Sequence, residues 1–345
     1  MRALATKYRP KSFEDLVGQE NIVTILQNQI RESAVKQGYL LTGGAGTGKT
    51  TSARIFANSL NAEILEIDGA SYNGVDSVRE LQEKLQYKPL EKEFKIVIYD
   101  EVHMLSTGAF NALLKILEEP PEHVIFILAT TDPQKIPSTI LSRVQRFDFK
   151  RMTTQQTMER LKYILEEENV EMERATSEYP YYDVTEDAIE YIAKLAQGGM
   201  RSAISILDTC LGYNNILNLQ EVINILGAAD YDVFMDLTTS IITQDFGKIV
   251  EVIENEHLKG NDLKQLMKSF TEFVVDMMKV QTTDNFDLTS IPAIYHPRIL
   301  KGVTYITANK IDLKGWFRQL SAMNNNIRYE NSPKTLIQGE LICIS

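Results

Sequence analysis

Leu40-Leu41-Thr42-Gly43-Gly44-Ala45-Gly46-Thr47-Gly48-Lys49-Thr50-Thr51 is the stretch on which the reading of this chain turns. A short apolar run, Tyr39 to Thr42, precedes the glycines. Thr51 to Leu60 follows with helical spacing at Ala53, Phe56, Ala57 and Leu60. Between them the pattern G-x-x-x-x-G-K-T runs from Gly43 to Thr50. Glycines at Gly43, Gly46 and Gly48 let backbone N–H groups turn inward around phosphate oxygens. The helix that starts there adds the positive end of its dipole. Lys49 is placed to reach β- and γ-phosphates, and Thr50 to put its hydroxyl on Mg²⁺.

About fifty residues on, Ile96-Val97-Ile98-Tyr99 is closed by Asp100-Glu101. At the carboxyl end of a parallel strand, Asp100 sits beside the phosphates to hold the metal ion, and Glu101 is placed to polarise an attacking water. A strand ending in two acids is a common pattern; paired with a complete phosphate loop it is a specific one. Leu128-Ala129-Thr130-Thr131 ends the next strand on the same sheet edge, and Thr131 rather than Thr130 is the candidate partner for the water or the γ-phosphate.

Other runs fill in the first half. Asn21 to Val35 is predicted helical, and Ala62 to Ile67 a strand. A helix is predicted from Val75 to Leu85. Ser106 is placed as the N-cap of a helix carrying Phe110, Leu113, Leu114 and Leu117, which Pro120-Pro121 stops. Val124 to Thr130 and Phe147 to Phe149 read as strands. Apolar strands alternating with helices predict an α/β parallel sheet covered on both faces. Beyond Thr153 only amphipathic helices are expected, with Arg174 to Asp183 a loop and Gly227-Ala228-Ala229 a hinge. Leu263, Leu266, Met267, Phe270, Phe273, Val274 and Met277 form a stripe that reads as core or subunit interface rather than a cofactor box.

Composition narrows the class. The 345 residues are 43% hydrophobic, and no apolar run reaches membrane length. The N-terminus lacks the apolar core of a signal peptide. Cys210 and Cys343 stand far apart, so neither a cysteine-rich zinc site nor a disulfide framework is expected, and the compartment reads as reducing and cytoplasmic. Net charge is −11 and unevenly spread: −1 over residues 1–150, −7 over 151–228 and −3 over 229–345. Any polyanion contact is therefore expected in the first part, local and geometric rather than driven by bulk charge.

Five positions stay open on the residues alone. Tyr8, Arg9 and Val17 either pack as an N-terminal arm or wall an adenine pocket. Arg143, in Ser142-Arg143-Val144, and Arg201, after Gly198-Gly199-Met200, are either surface ion pairs or stabilisers of charge on a transferring phosphoryl group.

LTGGAGTGKTT, LEIDGAS, KIVIYDEVHMLSTGAFNALLKILEEPPEHVIFILATTDPQKIPSTILSR and GGMRSAISILD resemble the ATPase subunits of the bacterial DNA polymerase III clamp loader, the gamma/tau family within the AAA+ superfamily. The resemblance is strongest over residues 1–228 and is distinctive in DEVHML, FNALLK and LEEPPEHV. It implies a RecA-like AAA+ domain at 1–150, a small helical lid at 151–228 and an all-helical collar for oligomerisation at 229–345. It implies ATP and Mg²⁺, delta- and delta-prime-like partners, further copies of the chain, a sliding clamp and primer–template DNA, and no membrane. Lys49, Thr50, Asp100 and Glu101 match the Walker residues, and Tyr8, Arg9, Val17, Gly43, Gly46, Gly48 and Thr51 join the ATP-binding set. Thr131 matches sensor 1, and Arg201 sensor 2 in cis. Arg143 matches the SRC arginine that reaches a neighbour's ATP.

The chain departs from the family pattern in two places. The four-cysteine zinc module that usually follows the phosphate-loop helix is replaced by Ala57-Asn58-Ser59-Leu60-Asn61-Ala62, so no zinc is expected, and Val144 stands where SRC has cysteine. The extension by which longer tau forms hold polymerase and helicase lies outside this sequence, which leaves those contacts unassigned. For DNA, helix starts at Asn73-Gly74 and Ser106-Thr107 are the candidates for phosphate-backbone contact. The alternatives are another DNA-acting AAA+ machine, such as a branch-migration helicase, and a non-hydrolysing structural subunit, which would show a degraded Walker pair.

Overall fold

In the computed structural model the apolar runs of the first half assemble into one parallel sheet. The structure describes residues 3–175, 181–226, 231–327, 330 and 332–344. The chain opens with α1 (Leu4–Lys7) and α2 (Glu20–Arg31). There follow β1 (Gly38–Thr42), α3 (Lys49–Ser59), β2 (Glu63–Asp68), α4 (Val75–Leu85), β3 (Lys95–Asp100), α5 (Thr107–Glu118), β4 (Val124–Thr130), α6 (Ser138–Leu141) and β5 (Gln145–Asp148). The five strands lie in the order β2-β3-β4-β1-β5, each parallel to its neighbours. Thr42 pairs with Thr130, and Tyr99 with Leu128. The carboxyl ends of β1, β3 and β4 thus come to one edge.

Both faces of the sheet are covered, which is why the strands read as unbroken apolar runs. Successive side chains on a strand point to opposite faces. Leu40, Val97, Tyr99, Phe126 and Leu128 pack with Val78 and Leu81 of α4 and Phe110 and Leu113 of α5. Tyr39, Leu41, Ile96, Ile98, Ile125 and Ile127 pack with Ile22 and Leu26 of α2 and Phe56 of α3. The register therefore cannot slip by one residue without exchanging the two cores. Ser106 caps α5, its hydroxyl accepting from the Ala109 N–H.

Two compact units emerge. One holds residues 1–174 with 196–208; the other holds 175–195 with 209–345. The segment 151–228 thus contributes to both. Within it lie α7 (Thr154–Ala175), β6 (Asp183–Val184), α8 (Glu186–Leu195), α9 (Met200–Leu211), β7 (Ile216–Leu217) and α10 (Leu219–Leu226). The expectation of helices alone beyond Thr153 is corrected here: β6 and β7 pair in parallel, Val184 opposite Leu217. Two residues per strand are too few to give a period in the sequence. The expected loop from Arg174 to Asp183 is also revised at its ends, since α7 runs through Ala175 and Asp183 begins β6; its middle, 176–180, lies outside the described residues, as does the expected hinge at Gly227-Ala228-Ala229.

The second unit is completed by α11 (Tyr231–Ile242), α12 (Phe246–Leu258), α13 (Leu263–Thr283), α14 (His296–Ala308), α15 (Leu313–Asn326) and α16 (Pro333–Cys343). The stripe from Leu263 to Met277 is buried throughout along α13. Phe270 and Phe273 meet Phe234, and Tyr231 stacks on Tyr295. Among the described residues no helix is long and apolar enough to cross a membrane.

Candidate functional site

The loop after β1 needs its glycines for room as well as for rotation. Gly43 has φ +144, and a Cβ there would lie 2.5 Å from the Phe149 carbonyl oxygen. Phe149, the residue just after strand β5, therefore seals the loop from one side. Lys49 opens α3 behind Gly48 and is buried, its ammonium donating to the carbonyls of Gly43 and Gly44 at 2.8 Å each. Burial pushes its pKa below the ordinary lysine value, and Glu101 and Asp100 offset part of that shift.

The strand ends supply the carboxylates. Thr50 Oγ1 donates to Asp100 Oδ2 at 2.8 Å, so the two candidate metal oxygens already sit side by side. Glu101 has left-handed backbone angles (φ +46, ψ +46), a conformation rare for a residue with a side chain and found preferentially at functional sites. Its Oε2 accepts from the Thr131 N–H at 3.1 Å and the Thr131 hydroxyl at 2.9 Å. His103 Nδ1 lies 3.2 Å from the same oxygen and 3.0 Å from Thr130 Oγ1. The sequence reading gave Thr131 a partner in water or phosphate; here its protein partner is Glu101. His103 was passed over, although it stands inside DEVHML.

A cavity of about 430 Å³ opens beside these groups. Tyr8, Arg9 and Val17 line it, together with Gly46, Gly48, Lys49, Thr50, Thr51, Asp100, Glu101 and Arg201. Arg9 Nε donates to Thr51 Oγ1 at 3.2 Å. Burial lowers the Arg9 pKa, with Arg54 as the next cause. The same wall includes Leu16, Arg160, Met200 and Ile204, which the sequence reading did not assign to the pocket. Arg201 is delivered by a backbone clasp: the Met200 N–H donates to the Gly46 carbonyl at 3.1 Å. Gly198, at φ +76, lets the chain pass so close to Arg151 and Met152 that a Cβ would sit 2.7 Å from each.

Arg143 is elsewhere. Its backbone lies against Gly38 at the amino end of β1, where a Cβ on Gly38 would be 3.1 Å from the Arg143 carbonyl oxygen. From Gly38 to Thr42 the strand rises about 13 Å. Arg143 does not line the cavity of the phosphate loop. The DNA candidates do come together: the Ser106 N–H donates to the Asn73 carbonyl at 3.1 Å, Gly74 precedes α4, and a Cβ on Gly108 would lie 2.6 Å from Val75 Cγ2. Helices α4 and α5 thus start side by side, with Thr107 the first residue of α5.

A family model described as "DNA polymerase III, delta subunit" matches residues 61–153, and one described as "DNA polymerase III subunits gamma and tau domain III" matches residues 217–302. DNA polymerase III subunit tau of Bacillus subtilis is 39% identical over 311 residues, covering 83% of this chain and 53% of that protein. Subunit tau of Escherichia coli is 35% identical, covering 77% and 43%. Subunit gamma of Buchnera aphidicola is 33% identical over 314 residues, covering 83% and 82%. The chain thus spans about half, or less, of the tau relatives it matches, and most of the shorter gamma relative. Among solved structures, the Thermotoga maritima RuvB Holliday junction branch migration motor aligns with a TM-score of 0.51 at 22% identity, over 68% of this chain and 79% of that one. At that identity the likeness carries the parallel-sheet fold and no activity.

Proposed function

The chain belongs to the gamma/tau family of DNA polymerase III subunits, and from that premise we propose that it is an ATPase subunit of a sliding-clamp loader. ATP binding and hydrolysis would open a ring-shaped clamp and place it on primer–template DNA in the cytoplasm. The observation that carries the proposal is the division of the chemistry. Lys49, Thr50, Asp100, Glu101 and Arg201 surround one cavity, while Arg143 stands at the other end of β1.

Each residue has a role in this reading. The Gly43–Gly48 loop and Lys49 hold the phosphates, and Tyr8, Arg9 and Val17 face the base. Thr51 extends the phosphate grip through Arg9. Thr50 and Asp100 offer paired hard oxygens that fit Mg²⁺, which when bound neutralises charge on the β- and γ-phosphates. Glu101 takes the proton of the attacking water, and Thr131 fixes the carboxylate that does so. Arg201 reads the nucleotide within the chain. Arg143 is delivered to the nucleotide of an adjoining subunit, a further copy or a delta- or delta-prime-like partner. The paired helix starts at Asn73-Gly74 and Ser106-Thr107 face the DNA phosphates. The divisions 1–150, 151–228 and 229–345 are proposed as functional parts: nucleotide site, lid and collar.

Steady-state ATPase assays of the assembled complex, with and without its cognate clamp and primer–template DNA, test this. Stimulation that needs the clamp supports the proposal. Turnover indifferent to the clamp but coupled to movement of branched DNA would favour the helicase alternative.

A further inference from the structure

We infer that Glu118 is a positioning residue for Arg143, holding its guanidinium in the pose in which an adjoining subunit receives it. The inference rests on the reading of Arg143 as an arginine supplied in trans, and it gives the LEEPPEHV motif a task that the nucleotide site leaves unexplained. Glu118 is the last residue of α5, and its Oε1 accepts from Arg143 Nη2 at 2.8 Å. Arg143 Nη1 donates to the Thr139 carbonyl at 2.7 Å and to Ser142 Oγ at 3.1 Å. Two separate elements, the end of α5 and the turn of α6, therefore fix both terminal nitrogens and with them the plane of the fork. The fork stands at a cavity of about 630 Å³, which Gln29, Lys36 and Gln37 also line.

A role in stability does not account for this arrangement. The two side chains are 35% and 45% exposed, and exposed pairs contribute little to folding. Leu117, buried beside Glu118, already anchors the end of α5. Aim is a stricter requirement. An arginine has four side-chain torsions, and an error of about 1 Å at a reacting centre can cost on the order of a hundredfold in rate. A planar fork held at both terminal nitrogens presents one orientation; a fork held at Nη1 alone swings about that contact.

The test is clamp- and DNA-stimulated ATP turnover by the assembled complex carrying Glu118→Ala, Glu118→Gln, Arg143→Ala or the double change Glu118→Ala/Arg143→Ala. Glu118→Ala is expected to lower kcat about tenfold with KM for ATP within about twofold. Glu118→Gln keeps an acceptor oxygen and is expected within about twofold of the parent. The double variant should match Arg143→Ala, because Glu118 acts through that side chain. Thermal unfolding of Glu118→Ala should match the parent, which separates lost aim from lost structure. Parental or faster turnover in Glu118→Ala, or a further loss in the double variant, overturns the inference. If Arg143→Ala itself keeps parental turnover, the trans reading falls and this one with it. A crippled Arg143→Ala beside a parental Glu118→Ala removes Glu118 alone.

Discussion

The two ends of strand β1 do opposite things. At the carboxyl end, Gly43 begins a loop that gathers a buried lysine, two acids, a threonine and Arg201 around one cavity. At the amino end, Gly38 touches the backbone of Arg143, whose guanidinium is held by Glu118 and Thr139. About 13 Å of strand separates them. One end carries Arg9 and Arg201 on the wall of the phosphate-loop cavity, and the other holds Arg143 outside that cavity. On the proposed reading, that division makes a junction between subunits the unit of catalysis.

The most severe break of that comparison is Arg143→Ala. In the assembled complex it is expected to lower clamp- and DNA-stimulated turnover by on the order of a thousandfold, the range known for arginines supplied in trans. Mixing Arg143→Ala copies with Lys49→Ala copies should restore part of the rate, because a junction with one intact loop and one intact arginine then forms. Turnover in the mixture no higher than in either variant alone would place Arg143 outside the reaction.

Changes at the carboxyl end should give smaller and different effects. With Glu101 as the proposed proton acceptor, Glu101→Gln is expected to cost on the order of a hundredfold to a thousandfold in kcat while nucleotide still binds. Arg201→Ala removes a charged contact from the cavity and should weaken ATP affinity roughly tenfold to a hundredfold. Equilibrium binding and turnover measured side by side separate the two arginines: Arg201 should move binding, Arg143 turnover. If both move the same quantity, the two ends are not divided as described.

Much of this was legible in the sequence because it rests on local pattern. A glycine loop between an apolar strand and a helix allows few readings, and burial on both sheet faces leaves continuous apolar runs such as Val124 to Thr130, whose bounds the structure reproduces. The cap at Ser106 and the buried face of α13 were equally plain. What escaped depends on contacts between distant segments. The hydrogen bonds of Thr131 to Glu101 span thirty positions, and no spacing rule announces them. His103 looked like one letter of a motif until the turn Val102–Met104 brought it against Glu101 and Thr130. Strands β6 and β7 are too short to carry a period. The resemblance to a known family supplied the roles of Arg143 and Arg201; residue type alone left each as a possible surface ion pair.

The gentlest probe acts on the link between the two ends. Strand β5 runs beside β1, from Tyr39 opposite Gln145 to Thr42 opposite Asp148, so it ties the region of Arg143 to the wall of the phosphate loop. The Thr42 hydroxyl donates to the Asp148 carboxylate, and Arg146 Nε donates to the same oxygen at 2.8 Å. The Thr42 bond, then Arg146, holds the Asp148 carboxyl below its ordinary value of 3.8. A carboxyl whose folded value is depressed stabilises the fold above its unfolded value, and that contribution is lost as pH falls through the folded value. Asp148 is largely open to solvent, so screening keeps the contribution below about 1 kcal/mol. Asp148→Asn should therefore lower stability slightly at pH 7, and the gap to the parent should close in acid, below the unfolded value near 3.8. Denaturant titrations at pH 7 and at about pH 2.5 measure this. A gap that stays constant between the two would show that Asp148 acts through packing, and the tie between the two ends of β1 would then rest on the backbone pairing of β5 and on Phe149 against Gly43.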